Sequence, residues 1–263
     1  MLSRFFTATA WPMAANHLGF VLHMAFTFAG ITLTVCLAFL LSRQNARNEN
    51  TVLPACGVIL AVLELYKQGF LYYVVYNRHF NWWYFPFQLC SIPMYLCLIY
   101  PWLKNRPFSR KRIATFLQDF GLLGGIMALA VPDGLFHPYW TLTLHGFLWH
   151  FILILLGVYC GRKGLADAGA GGFFRMLPLY GLCCSIAIFI NTMVQLCIYP
   201  RDYSDLFYIN CFFPSEQPFF HQLSLWLGNV WGHILYVLAS CCGAGLIHLA
   251  WAVYPRLHPR KKS

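Results

Sequence analysis

The sequence predicts an all-α polytopic membrane bundle of about seven transmembrane helices, with its N-terminus outside and its C-terminus cytoplasmic, in a single domain over residues 1–263. Three observations predict it. Apolar residue types make up 59% of the chain and charged types 10%, a balance that leaves nothing over for a soluble domain. Apolar runs long enough for a hydrocarbon core of about 30 Å recur along the whole length. Finally, Lys and Arg alternate between the connectors, fourteen on one side against three on the other, and positive charge collects on the cytoplasmic face.

In chain order, the first span runs from Leu18 to Leu41, with His17 at its mouth and His23 deeper, and ends at Arg43 and Arg47. The second, Leu53 to Tyr76, carries Glu64, Lys67 and Gln68 at i, i+3 and i+4, so all three share one helical face. The third, Tyr84 to Leu103, contains Gln88, Cys90 and Ser91 between Pro86 and Pro93, and the proline at 93 predicts a kink beside Cys90. Five basic residues follow it, from Lys104 to Arg112. The fourth and shortest, Phe116 to Val131, leads into the turn Pro132-Asp133-Gly134.

The fifth span, Tyr139 to Cys160, holds His145 and His150, about 140° apart on a regular helix and so not aimed at one ligand. Arg162, Lys163 and Arg175 follow in a glycine-rich connector that reads as flexible. Asn191 and Gln195 share a face of the sixth span, Met176 to Leu196, and Asn229 and His233 share a face of the seventh, Leu225 to Val253. The connector from Ile198 to Gln222 between them, rich in aromatics and prolines, reads as a lid or, more simply, an interfacial anchor at headgroup level. Dropping or adding a span would scramble the charge alternation, which supports seven.

The net charge of +10 is accordingly a topology signal with some attraction to anionic headgroups, and points away from nucleic-acid binding. The first sixteen residues hold one Arg and no separate apolar region, so a cleaved signal peptide is not expected. Ten of the eleven cysteines lie in or beside spans, and neither a disulfide framework nor metal-ligand spacing is visible. No metal and no cofactor is expected. The expected setting is a multi-pass protein of the plasma membrane, with membrane lipids as partners.

A rise of about 1.5 Å per residue places Cys90, His145 and Asn229 each about 9 Å in from the outer end of their spans. His150 and His233 fall somewhat deeper, and Glu64 lies near the middle with Lys67 and Gln68 outward of it. Gln118, Asp119 and His248 are the exceptions, toward the cytoplasmic side. Intramembrane polar groups of this kind face a bundle interior or a wet cavity. Each alone reads as interhelical hydrogen-bonding glue. Their shared outer depth reads as a site.

The stretch Phe85-Pro-Phe-Gln-Leu-Cys-Ser-Ile92 resembles the Leu-Pro-Leu-His-Leu-Cys element of the YwaF-like, transmembrane protein 164 family of integral membrane proteins. The stretch from Pro132-Asp133 through Phe136 and Pro138 to His150 resembles that family's second element, and Pro218 through Leu227-Gly228 to Tyr236 is a weaker likeness. Gln88 stands where the family often has His. The resemblance implies a lipid acyltransferase, related to membrane lipid hydrolases, acting on phospholipid or fatty-acyl substrates through a Cys and His pair, carried over here to Cys90 and His150. His145 is the alternative by depth.

A thiol with an ordinary pKa near 8.5 is mostly protonated at neutral pH and needs such a base. Gln88, Asn229 and His233 are candidate oxyanion donors. The substrate-binding set is then Glu64, Lys67, Gln68, Gln88, Asn191, Gln195, Asn229 and His233. Two other classes compete. A proton-coupled transporter or channel would use Glu64, Lys67 and the intramembrane histidines, but the two halves show no matching Gly and Pro interruptions. A seven-span receptor or scaffold rests on span count alone.

Overall fold

The computed structural model describes residues 1–13, 20–43 and 49–257, and its regular structure among these is helical. Among the described residues six helical segments are long and apolar enough to cross a membrane: His23–Arg43, Asn50–Val75, Pro107–Ala130, Trp140–Lys163, Ala170–Cys197 and Asn229–Tyr254. They belong to α2 (Phe20–Arg43), α3 (Glu49–Phe70), α5 (Pro107–Phe116) continued by α6 (Leu122–Ala130), α7 (Trp140–Lys163), α8 (Ala170–Cys197) and α10 (Asn229–Leu257). Three shorter helices complete the fold: α1 (Leu2–Ala8), α4 (Ile92–Ile99) and α9 (Pro218–Leu227).

The third expected span is the main departure. Helix occupies only Ile92–Leu103 of it, and residues 85–91 are irregular. Pro93 lies in the first turn of α4, where its missing N–H costs nothing, so it starts the helix instead of kinking it. Contacts at the two ends of the bundle show that the short segment still carries the chain across. At the basic end Arg110 donates to Asn50 Oδ1 at 2.7 Å, Lys163 to the Ser42 carbonyl at 3.4 Å, and the Asp167 N–H to Thr115 Oγ1 at 3.0 Å. At the opposite end Met13 N–H donates to the Pro138 carbonyl at 2.7 Å and Trp82 N–H to Asp202 at 2.6 Å.

The fourth expected span begins earlier than its apolar run, at Pro107, and passes through a wide π-turn, Leu117–Gly121, that holds Asp119. α7 is the central element. It packs on α2, α3 and α6, and its residues from Leu153 to Cys160 are nearly all buried. Two glycines let α6 and α7 approach closely: a Cβ at Gly157 would lie 2.6 Å from Leu122, and one at Gly125 would lie 3.1 Å from the His150 carbonyl. By contrast Leu33, Leu37 and Leu40 on α2 and Leu246 and Leu249 on α10 are exposed, the surface a bilayer covers.

Two features have no counterpart in the apolar pattern. α1 folds back on α3, burying Phe6 between Tyr66 and Tyr73, each with ring centroids 5.7 Å away. α9 is separated from α10 by Gly228, whose φ of 91° suits only glycine, so the last span starts at Asn229 and not at Leu225. His17 lies outside the described residues.

Candidate functional site

The irregular stretch before α4 places Cys90 in a turn, half-buried, against α3 and α7. Its carbonyl accepts the Trp149 Nε1–H at 2.9 Å, and the Trp149 ring lies against His145, tilted by 32° with centroids 5.5 Å apart. On α3, Glu64 Oε1 accepts from Lys67 Nζ at 2.8 Å and from Gln68 Nε2 at 2.8 Å, and Gln68 also donates to the Tyr84 carbonyl at 2.5 Å. Glu64 is 5% exposed, and its second carboxylate oxygen is buried without a hydrogen-bond partner among the described residues. Glu64, Lys67 and Gln68 thus form one hydrogen-bonded group on α3, and Cys90, Trp149 and His145 a second between the turn and α7.

The level of Cys90 along α7 follows from its neighbours. Leu122 rests on Gly157 while the adjacent Gly121 meets Pro93, so Pro93 and Gly157 sit at one height. Three residues reach at most about 10 Å, so Cys90 lies within that distance of the level of Pro93 and Gly157, and its carbonyl meets the side chain of Trp149. The depth match between Cys90 and His145 expected from the sequence assumed helical rise through residues that are not helical. His150 has a defined tautomer. Its Nδ1 lies 2.7 Å from the Gly146 carbonyl, which can only accept, so Nδ1 carries the proton and Nε2 keeps its lone pair. His145 is 9% exposed, with Nε2 buried and unpartnered among the described residues.

Comparison with known protein families matches residues 12–247 to the TMEM164 family. The chain belongs to the TMEM164 family. No curated protein and no solved structure matches it.

Other polar residues of this TMEM164-family protein turn away from Cys90 toward the connector between α8 and α9. The middle of that connector leaves the surface, while Tyr199, Phe212 and Phe219 stay exposed as an interfacial segment would have them. Ser204, Asp205, Leu206, Phe207, Ile209 and Asn210 are each at most 3% exposed, inserted between the helices. Gln88 accepts from Phe207 N–H at 2.7 Å and donates to the Asp205 carbonyl at 3.0 Å. Asn191 accepts from Leu206 N–H and Ser204 Oγ, both at 2.9 Å, and donates to the Leu206 carbonyl at 3.1 Å. Both amides are thus committed to backbone that no helix satisfies, which is the physical reason they lie at membrane depth.

The inserted turn is strained. Phe207 and Tyr208 have φ of 59° and 55°, a region bulky residues rarely occupy unless the surroundings over-determine it. Tyr208 meets Tyr236 of α10 edge to face, with ring centroids 6.3 Å apart. Trp149 is the neighbour of Cys90 that the sequence reading missed, hinted at only by its four-residue spacing from His145. Replacing Asn191 by Ala should release the turn, at about 1–3 kcal/mol for the buried backbone groups left unpaired. Faster amide exchange confined to residues 204–210 would register it, and unchanged exchange would count against the clamp.

Asn229 reaches the Cys211 carbonyl at 3.5 Å, and Gln195 Oε1 and both His233 ring nitrogens are buried without partners among the described residues. No contact ties these three to Cys90. No group of three metal-ligating side chains converges among the described residues.

Burial pushes the Asp205 carboxyl up to about 7, against the lowering effect of the Asn210 N–H that it accepts. A folded pKa above the unfolded value near 3.9 means that the folded state holds the proton more tightly. The stabilisation is complete below about pH 4 and is lost as pH rises through about 7, roughly 4 kcal/mol in all. Thermal stability should therefore fall between about pH 4 and 7, and Asp205→Asn should flatten the fall. An identical slope in the variant would exclude Asp205 as its origin.

Proposed function

We propose that this protein is a membrane-embedded lipid acyltransferase or lipid hydrolase, with Cys90 as nucleophile and His150 as base. The observation that carries the proposal is the placement of Cys90 in a non-helical turn at membrane depth, held against α7 by Trp149, the residue immediately before His150. His150 presents the tautomer a base needs, with Nδ1 tied to Gly146 and Nε2 free to take a proton. Membership of the TMEM164 family and the motif around Cys90 support the same chemistry.

In the proposed reaction the Cys90 thiol loses its proton to His150 Nε2 as sulfur attacks an ester carbonyl. The tetrahedral intermediate collapses to a thioester on Cys90, and His150 returns the proton to the departing lyso-lipid alcohol. A second lipid hydroxyl, or water in a hydrolase, then attacks the thioester with His150 again as base and restores the thiol. In this reading Lys67 supplies the positive charge that faces the developing oxyanion. Charge bias puts the site in the outer leaflet, and we place the protein in the plasma membrane.

The test is acyl exchange between labelled phospholipids in vesicles holding the purified protein. His150→Gln should lower the rate about 10²–10⁴-fold, while His145→Gln should cost less. The reverse order would move the base to His145 and leave the nucleophile in place. A transporter reading finds less support, because the Glu64 and Lys67 charges already neutralise each other.

A further inference from the structure

At the end of the bundle opposite the basic connectors, a cavity of about 290 Å³ opens between the turn after α3 and the chain leaving α8. Its wall includes Tyr76, His79, Phe80 and Trp82 from the first segment and Arg201 and Asp202 from the second. Both segments begin where an apolar span ends, at Val75 and Cys197, so the cavity sits at headgroup level, where Trp and Tyr concentrate.

The cavity is built and not an accident of loose loops. Asp202 accepts Trp82 N–H at 2.6 Å through one oxygen and Tyr203 N–H at 2.8 Å through the other, fastening its two walls together. Asn77 and Arg78 take φ of 47° and 67°, a left-handed reversal that folds residues 79–82 back over the opening, and for an arginine this conformation is costly. Phe80 and Trp82 pack edge to face with centroids 5.3 Å apart. Arg201 has no carboxylate partner among the described residues.

The chemistry divides in two. Arg201 and His79 offer N–H donors and positive charge suited to a phosphodiester. The faces of Tyr76, Phe80 and Trp82, with the Asp202 carboxylate, suit an ammonium group. A smaller recess of about 10 Å³, room for a single water, shares His79, Phe80 and Asn81 with the cavity and borders Gln68. The acyl chains of a lipid with its headgroup in the cavity would run from there into the membrane.

We infer that this cavity is the headgroup subsite for a zwitterionic glycerophospholipid, with Arg201 and His79 on the phosphate and the aromatic wall and Asp202 on the ammonium. As the substrate side of the reaction it rests on the proposed acyl chemistry; as a binding site it stands alone.

The experiment is calorimetric titration of purified protein in maltoside micelles with dihexanoyl phosphatidylcholine, dihexanoyl glycerol and inorganic phosphate. Binding of the phospholipid at least tenfold tighter than of the other two is expected, with Arg201→Gln raising its Kd about tenfold or more and Arg201→Lys recovering most of the loss. Equal affinity in wild type and Arg201→Gln would overturn the subsite. Phosphate binding as tightly as the phospholipid would overturn it too, marking a free-anion site instead. The same titration on Cys90→Ala separates the two proposals: normal phospholipid binding with acyl exchange intact would remove the Cys90 mechanism and leave the subsite standing.

Discussion

Replacing Cys90 by alanine is expected to slow acyl exchange by about 10⁴-fold or more, the loss that follows when a covalent nucleophile is deleted. The size of the effect is what makes it diagnostic. The other cysteines offer an internal control: Cys97, Cys160 and Cys183 are buried at no more than 6% exposure in the helical core, so a volume change there acts on packing. Serine at 90 keeps the site's shape but supplies a weaker nucleophile, so Cys90→Ser should fall nearly as far as alanine while leaving stability almost unchanged. Mass-spectrometric counting of transferred labelled chains, with unfolding followed in parallel, separates chemistry from folding. An alanine variant that transfers at the wild-type rate would end the covalent mechanism.

The second large effect lies at the other end of the membrane. Asp119 Oδ2 is 2.8 Å from His248 Nδ1, Asp119 Oδ1 accepts from Gln118 at 2.9 Å, and His248 Nε2 lies 3.0 Å from the Gly169 carbonyl. Asp119 is 0% and His248 2% exposed. The Gly169 carbonyl can only accept, so Nε2 carries a proton and every polar atom of the pair is satisfied. The arrangement ties α10 to the π-turn and to the connector before α8. Asp119→Ala strands His248 in the core and should destabilise the protein by about 3–5 kcal/mol, the usual result of removing one partner of a buried pair. Changing both residues to leucine should recover much of that loss, since buried pairs replaced by apolar side chains are often neutral. Chemical denaturation of the three variants decides the matter: a single Asp119→Ala variant as stable as wild type would show that the pair contributes nothing.

The two clusters use the same physics for different ends. At 119 and 248 all hydrogen-bonding capacity is consumed, which suits a structural lock. Around Cys90 it is not, because Glu64 and His145 each keep a buried polar atom without a partner among the described residues. Unsatisfied groups of this kind are costly in an apolar interior and persist where something else takes them up.

Composition and hydrophobic run length by themselves determined the membrane class, six of the helices and the pairing of Glu64 with Lys67 and Gln68, because these depend on local spacing along regular helix. The same local reading failed wherever backbone left the helix. Residues 85–91 read as the first half of a span, since their apolar character is the same whether they coil or extend, and a depth for Cys90 counted in helical rise does not apply to them. The connector from Ile198 read as a surface segment because aromatics suit the headgroup layer; only tertiary structure showed that Gln88 and Asn191 supply the hydrogen bonds that let residues 204–210 enter the bundle. Which side chains are spent on such backbone and which remain free for a ligand is a question of satisfied donors and acceptors in three dimensions, and no periodicity along the chain encodes it.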